Sequence, residues 1–211
     1  DQPALQSRER RRREIAPEAS VYNRLIDREW DTPAGQARSC GGDVLMRRAA
    51  FEEVGGFDPR LIAGEEPELC VRLRQAGWLI WRLDAEMTRH DAALHRFGQW
   101  WRRSRRAGHA YAEGAALHGA PPERHNIAQT RRALIWGLGV PAAAILGALL
   151  HPLLLSILLL WPLQIARLAL RDGDPVRATF LTLGKIPEAL GVLEYRLRHL
   201  TGRDGRLIEY K

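Results

Sequence analysis

The stretch from Ala133 to Ala166 sets the tightest limit on how this chain can fold. It is 34 residues of nearly unbroken apolar side chains, roughly 51 Å as a single helix against a hydrocarbon core of about 30 Å. His151-Pro152 falls near its middle, where proline cannot continue a helix. The division predicts two spans, Ala133–Leu150 and Pro152–Leu170, roughly 27 and 28 Å long and each able to cross. Gly139, Ala143 and Gly147 repeat at intervals of four, a small-residue stripe on which the second helix would pack. Arg131-Arg132 precede the pair and Arg167 and Arg171 follow it. Basic residues at both ends predict a hairpin with both flanks in the cytoplasm. The alternative is a hairpin buried in a soluble core.

The remaining sequence is polar and mildly basic. The net charge is +7, and every basic residue except Lys185 and Lys211 is Arg. Such a balance suits nucleic acid, an anionic membrane surface or an acidic substrate. With a membrane segment present, lipid head groups and nucleotide phosphates are the economical partners. A nucleic-acid role would rest on charge alone, because no reading element is present. Two cysteines, Cys40 and Cys70, make no disulfide framework. The chain starts at Asp1 in an Arg-rich stretch with no signal-peptide pattern, as a fragment would.

Ahead of the apolar block, the run Arg10–Arg13 is expected on a loop or helix start. A short helix follows Pro17, with Val21, Leu25 and Ile26 on one side, and Asp31–Gly35 breaks it. Ala49–Val54 makes one or two helical turns, stopped by Gly55-Gly56. Pro67 lies in the first turn of the next helix and Gly77 just past its end, with Leu69, Leu73 and Ala76 on one face. Trp78–Leu83 reads as a buried strand.

From Leu94 a further helix carries Phe97, Trp101, Gly108 and Tyr111 on one face and Arg102, Arg103, Arg105 and Arg106 on another. It suits either a membrane surface or packing on its own domain. Behind the apolar block, Phe180 to Leu197 reads as two short amphipathic helices, interfacial in location.

The order of small motifs between Cys40 and His90 carries the chemical information. Cys40-Gly41-Gly42-Asp43 precedes a basic pair, Arg47-Arg48, and a second glycine turn, Val54-Gly55-Gly56-Phe57-Asp58. Gly64-Glu65-Glu66-Pro67 then opens a helix, and His90 follows a strand. Singly, these are a common turn, acids that favour a helix N-terminus and a lone histidine.

In this order they resemble the acceptor-side half of a family 2 glycosyltransferase with the GT-A fold, over about residues 20–120. The resemblance implies an inverting transfer of sugar from a nucleotide-sugar donor to a lipid-linked or polysaccharide acceptor. It implies Glu66 as general base with Glu65 beside it, although Asp is commoner than Glu at the base position. Gly41, Gly42, Asp43 and Arg47 would touch donor sugar and acceptor. His90 would complete a Mg or Mn site with a D-x-D motif from strands preceding Asp1. Gln99-Trp100-Trp101-Arg102-Arg103 is similar to the Q-x-x-R-W motif of processive members with its order altered. Gln99, Trp101 and Arg102 are its candidate substrate contacts.

Asp172-Gly173-Asp174 spells D-x-D but follows an apolar span rather than a strand, and reads as a polar turn. No P-loop, dinucleotide fingerprint or zinc spacing occurs. The expected organisation is α/β: the C-terminal half of a GT-A domain over 1–125, a transmembrane helical hairpin over 126–171, and an amphipathic tail over 172–211. The setting would be the inner face of a bacterial cytoplasmic membrane. By itself the chain is expected to bind nucleotide sugars weakly or not at all. The competing expectation is a non-catalytic membrane scaffold or subunit.

Overall fold

A computed structural model describes residues 5–202, so the last part of the expected tail, 203–211, lies outside the described residues. The protein is mixed α/β and mostly helical. Its residues cluster into two compact units that divide between Trp100 and Trp101.

The front unit is built on a four-stranded mixed sheet of order β2-β4-β1-β3. β1 spans Leu5–Glu14, β2 Gly35–Ala37, β3 Val44–Met46 and β4 Leu79–His90. β1 and β4 run parallel, with Leu5 opposite Leu79 and Glu14 opposite His90. β3 is antiparallel to β1 and β2 antiparallel to β4, so Val44, Glu9, Arg82 and Gly35 share one row. The Arg10–Arg13 run therefore lies inside a central strand, not on a loop or helix start. Its strand state comes from partners more than 60 residues away. The run itself has neither the alternation nor the β-branched residues that announce a strand.

Helix α1, Val21–Trp30, starts at Ser20, whose hydroxyl accepts the Asn23 amide at 2.9 Å. Short α2, Arg48–Glu53, ends at Gly55-Gly56 as expected. Helix α3, Glu65–Gln75, has three acids in its first turn and Arg72 and Arg74 in its last, each complementing the helix dipole. Gly77 ends it with φ 85°, and the Trp78 amide reaches back to the Leu73 carbonyl at 2.9 Å. α3 covers the sheet through Leu69, Cys70 and Leu73, which meet Met46, Ile80 and Trp78.

The next helix, α4, is Phe97–His118, three residues later than the apolar spacing suggests. Leu94 is in the core with Ile26 and Ala92. Its amide goes to Asn23 Oδ1 at 3.0 Å and its carbonyl accepts the Ser20 hydroxyl, so its backbone is committed before the helix starts.

In the rear unit, α5 (Ile127–Leu134), a π-helical stretch (Ile135–Gly139) and α6 (Val140–Ala148) follow one another without a break. Ala133, Gly137, Val140 and Ala144 are buried along it. That stripe replaces the expected Gly139/Ala143/Gly147 one. Gly139 faces only the Leu134 carbonyl of its own segment, Ala143 is exposed, and Gly147 packs against Leu154 of the second segment.

A 3-10 stretch, Pro152–Leu159, leads into α7, Leu160–Asp172. Together they form one helix, Pro152–Asp172, long and apolar enough to cross a membrane and with none of its span buried. Leu153, Leu159, Leu163 and Leu170 are all exposed, which argues against a soluble core enclosing this segment.

α8 (Pro175–Leu183) and α9 (Lys185–Thr201) complete the unit. The break lies at Gly184, with Pro187 in the first turn of α9, where proline costs little. Asp172-Gly173-Asp174 is the polar turn expected: Gly173 closes α7 at φ 68°, and the Asp174 side chain caps α8. α9 differs from a purely interfacial helix. It buries Pro187, Ala189, Gly191 and Val192 against α4 and α5, while Leu193, Leu197 and Leu200 stay exposed.

Candidate functional site

The glycine turn and the acidic helix start come together through the two cysteines. Cys70 sits in the middle of α3, and its Sγ accepts the Cys40 backbone amide at 3.3 Å. The two sulfurs are also 3.3 Å apart, both buried and not disulfide-bonded. Glu66 precedes Cys70 by four residues, one helical turn, and so lies on the same face of α3. The residues after Cys40 are Gly41-Gly42-Asp43. Glu66 is therefore on the side of α3 that the glycine segment approaches.

That segment is held firmly at its start. Arg82 donates to the Ser39 carbonyl at 3.3 Å, Arg74 donates to the Arg38 carbonyl, and Cys70 holds Cys40. Gly41 and Gly42 are absent from the left-handed glycines of this unit, among which Gly64 at φ 82° immediately precedes Glu65. The conformational need for glycine thus falls at the mouth of α3 rather than in the Gly-Gly-Asp segment. Glu65 and Glu66 are both partly exposed, and Glu65 makes no hydrogen bond or ion pair among the described residues. Glu68, next along, is buried and taken up by Arg72, with Nη2 to Oε2 at 2.6 Å and Nε to Oε1 at 2.8 Å. It is a structural acid.

The strand registers set where these groups lie along the sheet. β3 is antiparallel to β1, so Asp43, immediately before β3, lies on the side of Val44 toward the carboxyl end of the β1/β4 pair. α3 runs back along β4: Leu73 meets Trp78 and Cys70 meets Ile80, which carries Glu66 toward the same end. His90 is not brought to this point: it closes β4 opposite Glu14, five β1 residues beyond the row of Glu9 and Val44, roughly 16 Å further along the sheet, where it is exposed with its ring 5.5 Å from that of Trp30. The carboxyl ends of parallel strands are where open α/β sheets bind ligands.

The other candidates are placed differently. Arg47 is exposed at the far end of β3, heading α2. Gln99 is used locally: its Oε1 accepts the His95 and Arg96 amides, each at 2.9 Å, and its Nε2 donates to the Ala93 carbonyl at 3.1 Å. It starts α4. Trp101 and Arg102 belong to the rear unit.

A buried polar network escaped the sequence reading. Asn23 donates to Glu14 Oε1 and to the Ala16 carbonyl, both at 3.2 Å, while accepting from Leu94. Glu14 Oε2 accepts the Ala92 amide at 2.8 Å. Asp27 binds Arg13 through both oxygens, at 2.6 and 2.8 Å, and accepts the Glu14 amide at 3.0 Å. The Arg13 guanidinium holds the Asp27 carboxyl below its usual range. Together these bonds fix Asp91–Leu94, the segment that leaves His90. The visible signal was Asn23 and Asp27 sharing the inward face of α1 with Ile26, polar residues where an amphipathic helix would be apolar.

A divalent metal does not fit the described residues alone. His90 is the single donor the resemblance assigns here, and no group of three His, Cys, Asp or Glu among the described residues could hold an ion. Mg and Mn want an oxygen-rich shell of about six ligands. No protein-family model, curated protein or solved structure matches this chain.

Proposed function

We propose that this chain carries the acceptor side of an inverting sugar-transfer site and fixes it to a membrane. The single observation that supports it best is the placement of Glu66 on the face of α3 that Cys70 presents to the glycine segment. An attacking hydroxyl must lose its proton as its oxygen reaches the anomeric carbon, and a partly exposed carboxylate beside a glycine-lined wall can take it. Glu66 is that base. Glu65 supports it electrostatically, and Gly41, Gly42 and Asp43 form the wall against which sugar and acceptor are held in line.

The donor is a nucleotide sugar and the acceptor a lipid-linked or growing polysaccharide. The departing diphosphate needs positive charge. His90 gives one donor atom toward a Mg or Mn site whose other ligands would come from outside these residues. The apolar segments cross a bacterial cytoplasmic membrane as a hairpin, with the site on the cytoplasmic side. The exposed leucines of the Pro152–Asp172 helix and the arginines at its foot support that placement.

The test uses membranes from cells expressing the complete reading frame that contains this chain. They are incubated with radiolabelled nucleotide sugars, and the lipid extract and polymer fraction are counted. Label entering either fraction from one donor, in proportion to the amount of this protein, is the expected result. No incorporation from any donor by correctly membrane-bound protein would leave the non-catalytic scaffold as the better reading.

A further inference from the structure

At the foot of the long apolar helix, the rear unit encloses a cavity of about 310 Å³ that the sugar-transfer reading does not use. Five separate elements contribute to it: Arg132 from α5, Trp136 from the π-helical stretch, Arg167 and Arg171 from α7, Leu181 from α8, and Lys185 from the start of α9. No acidic side chain lines it.

The four cations are not equivalent. Arg171 is held by Asp172 at 2.6 Å and Lys185 by Glu188 at 2.6 Å. The Arg132 and Arg167 side chains make no hydrogen bond or ion pair among the described residues. Two guanidiniums without a counter-charge face one cavity. Trp136 is positioned by its carbonyl, which accepts the Trp161 indole N–H at 3.2 Å and ties α7 to the wall. Leu168 and Leu181 supply apolar lining. The volume lies at the low end of small-ligand sites, roughly 300–1,000 Å³.

We propose that this cavity binds a phosphate-bearing head group at the membrane surface. Arg132 and Arg167 would grip the phosphate oxygens, and Leu168 and Leu181 would take the first carbons of an attached chain. Arg is suited to this because its planar fork matches phosphate oxygens two at a time. Its position beside an exposed membrane-length helix, with tryptophan at the same level, is that of a head-group layer. The site stands on the rear unit alone and does not depend on sugar transfer by the front one. Its phosphate can come from a lipid or from a soluble diphosphate, and the experiment separates them.

The whole 211-residue chain, purified in a neutral detergent, is titrated with phosphatidylglycerol, phosphatidylcholine and inorganic pyrophosphate, and adducts are counted by native mass spectrometry. Wild type should take one phosphatidylglycerol in preference to phosphatidylcholine. R167Q should weaken it about fivefold and R132Q/R167Q roughly 20-fold, the worth of one and two surface cations near an anionic layer. R196Q removes the same charge from an exposed position outside the cavity and should change affinity less than about twofold.

Both cavity arginines are exposed, so an unchanged melting temperature is expected. R167K, which keeps the charge but not the fork, should recover only part of the loss. Pyrophosphate binding with the same Arg dependence assigns the phosphate to a soluble source. Its failure to bind, with phosphatidylglycerol retained, assigns it to lipid. Equal binding of every probe by wild type and R132Q/R167Q overturns the proposal.

Discussion

Asn23 shows how much of the front unit hangs on single buried polar atoms. Its side chain serves Leu94, Glu14 and Ala16 at once, and removing it strands the buried Leu94 amide and takes one of three hydrogen bonds from the buried Glu14 carboxylate. Asn23→Ala should lower stability by about 2–3 kcal/mol, read as a shift in the urea midpoint with little change in slope. Asp27 makes a pH prediction. Its folded pKa is lowered by the Arg13 hydrogen bonds, so its contribution is complete above the ordinary value of 3.8 and is lost as pH falls through the lower folded value. Asp27→Asn should flatten the acid limb of a stability–pH curve below about pH 4.

His109 has the opposite chemistry but also loses stability in acid. Burial pushes its pKa down to about 4, against the pull of Glu194 and with the repulsion of Arg198. Its ring faces Tyr195 edge-on at 5.3 Å, and Nδ1 is 3.9 Å from Glu113. The unfolded chain takes up a proton near 6.5 that the folded one refuses until about 4. Stability of the rear unit should therefore fall as pH drops through that window, and His109→Gln should remove that part of the slope.

Among the elements, the helices of the rear unit are fitted to one another by glycine. A Cβ on Gly108 would come within 2.0 Å of the Glu188 carbonyl oxygen, one on Gly191 within 2.0 Å of that of Arg105, and one on Gly137 within 1.8 Å of that of Lys185. Each contact is with backbone, so a helix must move. Arg105 and Arg198 both bind Glu194 across the same region, at 2.8 and 2.6 Å. Gly108→Ala and Gly191→Ala should each destabilise by about 1–3 kcal/mol or more. Gly139→Ala, which meets only a carbonyl at 3.5 Å, should be neutral or raise stability by up to about 1 kcal/mol. Thermal melts in detergent separate the two classes.

The elements also divide by how openly the sequence declares them. α3 is announced by Pro67, by its acid start and by Gly77, because caps and breakers act locally. β1 is not, because the Arg10–Arg13 run becomes a strand only when β4 pairs with it. The Gly139/Ala143/Gly147 stripe was legible as a period but not as a face. Ala133 and Gly137 are buried against α9, more than 40 residues later. In the candidate site, the Gly-Gly-Asp and Glu-Glu motifs could be read singly. Their approach through Cys40 and Cys70 could not, since nothing local links positions 30 residues apart.

For the whole molecule, Pro152–Asp172 is one helix long and apolar enough to cross a membrane, and none of it is buried. After carbonate washing of membranes it should remain in the pellet; release into the wash would contradict a spanning helix. The central claim is narrower, that Glu66 removes the acceptor proton. The most direct measurement is turnover by Glu66→Gln in the complete membrane-bound protein, beside Glu65→Gln and wild type, with melting temperature and membrane content recorded for each. The account predicts that Glu66→Gln loses about 100- to 10,000-fold in transfer at unchanged stability and membrane content, while Glu65→Gln loses far less. Undiminished transfer by Glu66→Gln would contradict it and move the base to another residue.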